Sequence, residues 1–113
     1  MDTATTNEYA ISDSSHRTMV VCDADLDDII PEYLEGKREE CLQLRELVNK
    51  ACCMEICSIA HGMKGSGGCY GFPVISEIGT SMESAAKTAN MHGVLEQVDI
   101  LDAYLGRIEV RYE

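Results

Sequence analysis

From residue 31 onward the apolar positions recur every three or four residues, the period of helices that bury one face. Tyr33, Leu34, Cys41, Leu44, Leu47 and Val48 form the first long stripe, with Glu35, Lys37, Arg38, Glu39 and Glu40 on the outer surface. Pro31 lacks an amide donor and disfavours a helical residue before it, so this helix is expected from Pro31 to about Asn49, after a break near Ile30. Ahead of the break, Asp23 or Asp25 offers an N-cap to a short helix carrying Leu26, Ile29 and Ile30. Asn49 and Lys50 leave room for a short turn, which sets the following helix antiparallel to the first. There Cys52, Ile56, Ile59, Met63, Gly67 and Tyr70 share one stripe at about 100° per residue.

Gly71 suits the end of that helix and Pro73 the first turn of the next, whose inner stripe is Val74, Ile75, Ile78, Met82, Ala85 and Ala86. After a polar turn from Thr88 to Gly93, the positions Val94, Val98, Leu101, Leu105 and Ile108 define a final helix ending near Arg111. Met19-Val20-Val21 is too short to decide between strand and extended chain, and no segment shows sustained two-residue alternation. The expected fold is all-α, an antiparallel four-helix bundle with a short additional N-terminal helix. Residues 1–22 read as a flexible or extended arm, because Met1 to Arg17 are rich in Thr, Ser, Asp and Asn without apolar periodicity. The bundle then occupies residues 23–113.

Length and charge narrow the class. A chain of 113 residues makes one domain with its own core. Nine basic against twenty acidic side chains give 9 − 20 = −11, which opposes nucleic acid and anionic membrane surfaces and favours a protein partner or small ligand. No apolar run approaches the roughly 20 residues of a membrane-spanning helix, and the N-terminus lacks a basic region followed by an apolar one, so a cytoplasmic location is expected. The six cysteines are then expected as mostly reduced thiols, with Cys41 and Cys52 as small core residues.

His61 points away from the apolar stripe of its helix, and Cys57, Lys64, Gly65 and Gly68 lie at helical spacings on the same side. Gly62, Gly65, Gly67 and Gly68 crowd into seven residues although each glycine inside a helix costs about 1 kcal/mol relative to Ala. Those beside His61 leave room for another surface to reach the ring, whereas Gly67 on the buried stripe admits a neighbouring helix. A neutral imidazole nitrogen is a competent nucleophile, and Lys64 one turn away can offset charge that develops on a phosphoryl group. Gly62 to Gly71 is not a nucleotide-binding loop: Lys64 precedes Gly65, where a P-loop needs Gly-Lys-Ser/Thr, and no strand leads into it.

His61-Gly62-Met63-Lys64-Gly65, the small run Ser66-Gly67-Gly68, and Gly71 six residues after Gly65 resemble the H-x-x-K-G-x-x-x-x-x-G signature of histidine-containing phosphotransfer (HPt) domains. Ile75, Ile78 and Met82 to Ala86 are similar to that family's following helix, and the resemblance runs from about Asp23 to the C-terminus. The departures are small: Met63 stands where many members have Leu, and Tyr70 where many have a smaller apolar residue. The resemblance implies that His61 accepts a phosphoryl group from the aspartyl phosphate of a receiver domain and passes it on to another receiver. It implies a monomeric carrier without kinase activity, with no cofactor of its own and Mg²⁺ supplied by the partner receiver domain. Lys64 is then the charge partner, Gly65 and Gly68 give clearance for docking, and Leu26, Ile30, Met54 and Cys57 contact the receiver. A hybrid sensor histidine kinase completes the implied set of partners.

Two other readings stand beside it. Cys53, Cys57 and His61, at i, i+4 and i+8, offer soft ligands for a metal or a redox sensor, although three positions over two turns converge poorly on one ion. A helical docking module that never carries phosphate would have the same fold. Glu83 reads as the helix-stabilising i, i+4 partner of Lys87, without a role in chemistry. His16 and His92 read as ordinary surface residues.

Overall fold

The computed structural model describes residues 17–113. Most of the proposed N-terminal arm, and His16 with it, lies outside them. The described chain runs through a strand β1 (Thr18–Cys22), a 3₁₀ turn (Ala24–Leu26), helices α1 (Ile30–Asn49), α2 (Cys53–Ser66), α3 (Pro73–Lys87) and α4 (Met91–Arg107), and a second strand β2 (Ile108–Tyr112). Each helix packs on its neighbours in sequence, and α4 closes the ring against α1. The class is all-α, a four-helix bundle, as the apolar periodicity predicts.

Local chemistry sets most boundaries. The carboxylate of Asp23 accepts the Asp25 N–H at 2.9 Å, but it caps only a 3₁₀ turn rather than an α-helix. Ile30 belongs to α1 instead, and Pro31 sits in its first turn where the missing amide donor has no helical partner to lose. Asn90 caps α4 by accepting the Gly93 N–H at 2.9 Å. Between α2 and α3 a 3₁₀ turn (Gly68–Tyr70) ends at Gly71, whose φ of +95° is the left-handed conformation that favours glycine. Phe72 follows and is fully buried, plugging the end of a core that includes Ile30, Leu44, Ile56, Ala60, Met63, Ile75, Met82, Val94, Val98 and Leu101.

The two ends of the described chain also differ from the sequence expectation. The last helix stops at Arg107 rather than near Arg111, and Ile108 to Tyr112 pairs in parallel with Thr18 to Cys22, from Thr18 opposite Ile108 to Cys22 opposite Tyr112. Val20 and Cys22 on one strand, with Ile108, Val110 and Tyr112 on the other, turn inward, while Met19, Val21, Glu109 and Arg111 face out. Thr18 to Cys22, expected as part of the arm, is thus extended but hydrogen-bonded to the other end of the described chain. A parallel pair needs a long crossover, and here the crossover is the whole bundle.

Lys37 is a further correction. It is buried rather than on the outer surface, its stem laid along Tyr33 with Nζ 4.9 Å from the ring centre and 2.7 Å from Glu40 Oε1. Tyr33 in turn stacks near Tyr70, with ring centres 4.4 Å apart, and shares a 2.8 Å hydrogen bond with Ser66 Oγ. On the opposite side Arg45 of α1 donates to Asp99 at 3.0 Å and to Asp102 at 2.9 Å on α4. Both pairs face solvent, so Arg45→Ala should lower stability by no more than about 1 kcal/mol. Denaturant melts at low and high salt check this, since the loss should shrink as salt rises.

Candidate functional site

Helix α2 turns Ile56, Ala60, Met63 and Gly67 inward, so the residue after Ala60 must look outward. The His61 side chain is 72% exposed. Lys64 stands one turn on and is about half exposed. Nothing lies within 4 Å of a side chain built at Gly62 or Gly65, so the ring is bordered by open space on the helix surface.

What holds the ring comes from α3. Glu83 Oε2 lies 3.0 Å from His61 Nδ1, and Glu83 Oε1 lies 3.6 Å from Lys64 Nζ. Lys87 Nζ is 3.9 Å from Glu83 Oε2. The pairing of Glu83 with Lys87 therefore exists as the spacing suggests, but the same carboxylate is also the partner of His61. Spacing along one helix does not reveal the partner of that ring nitrogen, because the contact joins residues 22 apart on different helices. Gly79, one turn before Glu83, brings the two helices together: a Cβ there would lie 2.5 Å from the Lys64 amide nitrogen and 2.7 Å from the Ala60 carbonyl oxygen. A glycine four residues ahead of a glutamate on the face toward α2 is the one sequence signal that could have pointed to Glu83.

Partial burial pushes the Glu83 carboxyl upward, but the hydrogen bond from His61 and the charges of Lys87 and Lys64 outweigh it and hold the group below its ordinary value of 4.5. Glu83 is therefore an acceptor-only carboxylate at neutral pH. Nδ1 must donate, which assigns its proton to that nitrogen and leaves the Nε2 lone pair free on the exposed side. A lowered carboxyl adds stability above its ordinary range and loses it as pH falls through the lowered value. The melting temperatures of wild type and Glu83→Gln should accordingly differ above pH 4.5 and converge on acidification below it.

The remaining residues named from sequence divide. Gly67, not Gly68, is the close-packing glycine, since a Cβ at Gly67 would lie 2.5 Å from the Ser76 amide nitrogen. Gly68 lies past the end of α2 in the 3₁₀ turn, exposed, and donates its N–H to Ser76 Oγ at 2.8 Å. Met54, seven residues before His61 and so on the same face, is 86% exposed. Cys57 and Leu26 are half-buried against the core. Ile30 is fully buried and cannot meet a partner, because α1 starts there and turns it into the bundle.

Cys53, Cys57 and His61 gain no further ligand from elsewhere in the fold; no group of three or more metal-ligating side chains forms among the described residues. Burial pushes the Cys41 thiol up to about 11 and also raises Cys22, which makes both poor nucleophiles. His92 is a surface residue 3.7 Å from Glu96. Among the described residues no helix is long and apolar enough to cross a membrane.

The four-helix bundle thus carries His61 exposed on the surface of α2, braced from behind by the Glu83 carboxylate and flanked by Lys64. The family model for the Hpt domain matches residues 28–110, and the chain belongs to that family. Hpt domains are phosphotransfer modules of two-component signalling, phosphocarriers without autonomous catalytic activity, and they interact with receiver domains and histidine kinases. The matched segment begins after β1 and ends within β2, so the strand pair that closes the bundle lies mostly outside it. No curated protein and no solved structure matches the chain.

Proposed function

We propose that this chain relays phosphoryl groups between receiver domains, with His61 as the phosphoacceptor. The observation that carries the reading is the Nδ1 to Glu83 hydrogen bond of 3.0 Å on a ring otherwise open to solvent. It presents Nε2 as the nucleophile in the tautomer required for attack. Nε2 forms a bond to phosphorus while the bond from phosphorus to the receiver's aspartate oxygen breaks, and the aspartate leaves as a carboxylate. The Nδ1 proton stays in place, and Glu83 balances the positive charge the ring then carries. Lys64 approaches the transferring oxygens as their charge shifts.

Mg²⁺ belongs to the receiver in this scheme, and the donor side is a hybrid sensor histidine kinase. Met54 and the open ground at Gly62 and Gly65 form the part of the docking face that a receiver reaches, with Cys57 and Leu26 contributing their exposed edges. The test is incubation with a panel of phosphorylated receiver domains and Mg²⁺, following acid-labile, base-stable phosphate on wild type and on His61→Gln. Label on the wild type alone supports the relay. Receiver binding without label on either chain points instead to a docking module.

A further inference from the structure

Backbone groups alternate in direction along a strand, so the bonds at one end of the β1–β2 pair fix which edge each residue serves. Glu113 donates its N–H to the Cys22 carbonyl at 3.0 Å and accepts the Ala24 N–H at 3.1 Å. The odd-numbered residues of β2 therefore point their backbone groups at β1, and Ile108, Val110 and Tyr112 point theirs the other way. The Ile108 N–H is taken by the Tyr104 carbonyl at the end of α4. Among the described residues, no backbone hydrogen bond outside the β1 pairing involves Val110 or Tyr112. β1 differs, because the α2–α3 turn stands beside it: the Val21 carbonyl oxygen lies 3.9 Å from the Cβ position at Gly71. The open edge of the sheet is that of β2.

We propose that a second copy of this chain adds its β2 to that edge, antiparallel and centred on Val110, forming a four-stranded sheet across a two-fold axis. Charge complementarity names the occupant. Glu109 and Arg111 are exposed on the outer face of β2, two residues apart. A copy centred on Val110 sets Glu109 of each chain opposite Arg111 of the other, twice over by symmetry. These pairs fall on the closer, non-hydrogen-bonded sites, while the two Val110 residues exchange backbone bonds. Each Tyr112 N–H meets the Ile108 carbonyl of the other copy, so the Ile108 N–H stays with Tyr104. A slip of two residues in either direction sets Glu109 against Glu109 or Arg111 against Arg111. Charges that guard the edge against indiscriminate pairing thus admit this one register. On the inner face Ile108, Val110 and Tyr112 are only partly buried, and the second copy covers them further. One strand pairing buries well below the about 1,600 Å² of a standard interface, so the dimer is weak, and it leaves His61 on α2 exposed in both copies.

The experiment is sedimentation velocity of the full chain up to about 1 mM, with circular dichroism as the folding control. Wild type should dimerise with a dissociation constant of roughly 0.1 mM, the weak end of specific association. Glu109→Arg and Arg111→Glu each replace two attractive pairs by two like-charge pairs, and each should weaken the dimer about tenfold. The double exchange, Glu109→Arg with Arg111→Glu, keeps the net charge at −11 and restores opposite charges across the edge, so it should associate like wild type. An equal mixture of the two single variants should also recover dimers, because one chain then presents two cations and the other two carboxylates. Hydrogen exchange at the Val110 amide should slow as wild-type concentration rises. Wild type that stays monomeric at about 1 mM overturns the proposal. A protected Val110 amide in such a monomer would put the chain's own residues 1–16 on the edge, and a freely exchanging one would leave it to a strand of another protein. Dimers indifferent to both single reversals overturn it too, since they form through another surface.

Discussion

His61→Gln is expected to lose all acid-labile phosphate transferred from phosphorylated receivers while the bundle stays folded and still binds them. The side chain is 72% exposed and makes no core contact, so its replacement should change stability by about 0.5 kcal/mol or less. Gln keeps a donor able to reach Glu83, yet it has no nucleophilic nitrogen to attack phosphorus. The drop is therefore to background rather than a fractional loss. Wild type and variant are compared by label after acid or base treatment, with circular dichroism as the control for folding. Label on the variant would move the acceptor elsewhere, with exposed His92 the first place to look.

Gly79→Ala should destabilise the chain and disturb the site together. The new methyl would meet the Lys64 amide nitrogen at 2.5 Å, the Ala60 carbonyl oxygen at 2.7 Å and Met63 Cβ at 2.9 Å, two of them backbone atoms that cannot rotate away. Helices α2 and α3 must separate, at a cost of about 1–3 kcal/mol for overpacking. That cost is met only in part by the roughly 1 kcal/mol that Ala returns over Gly through helix propensity. Separation also pulls Glu83 away from His61, so the phosphotransfer rate should fall along with the denaturation midpoint.

Gly62→Ala is the matched control, because open space surrounds its new methyl. It should raise stability by about 0.5–1 kcal/mol. If both substitutions shifted the midpoint in the same direction, close helix approach at Gly79 would not be what sets the distance between α2 and α3. Chemical denaturation of the three chains, with slopes compared for equal exposed surface, decides it.

Local pattern carried much of this protein. Three- and four-residue periodicity placed the four helices, since a helix that buries one face must repeat its apolar residues at that spacing. Pro31, Pro73 and Gly71 marked boundaries because their backbone restrictions act within a few residues. The same periodicity put His61 on the outer surface and Lys64 one turn away, both relations internal to one helix.

Tertiary structure decided what joins distant segments. The pairing of Thr18 to Cys22 with Ile108 to Tyr112 links the two ends of the chain, and neither five-residue strand is stable or legible without the other. Ile30 and Lys37, by contrast, lie on the same three- and four-residue stripe as Leu34, Cys41 and Leu44, so their inward turn follows from spacing within α1, and only the charge of Lys37 argues for the outer surface. The Glu83 carboxylate reaches His61 Nδ1 across the α2–α3 contact, and the approach is possible only because Gly79 has no side chain. The sequence by itself determined that His61 faces solvent; the packing of α3 on α2 decided which nitrogen of the ring is free, because a hydrogen bond between helices depends on their separation and not on the spacing along either one.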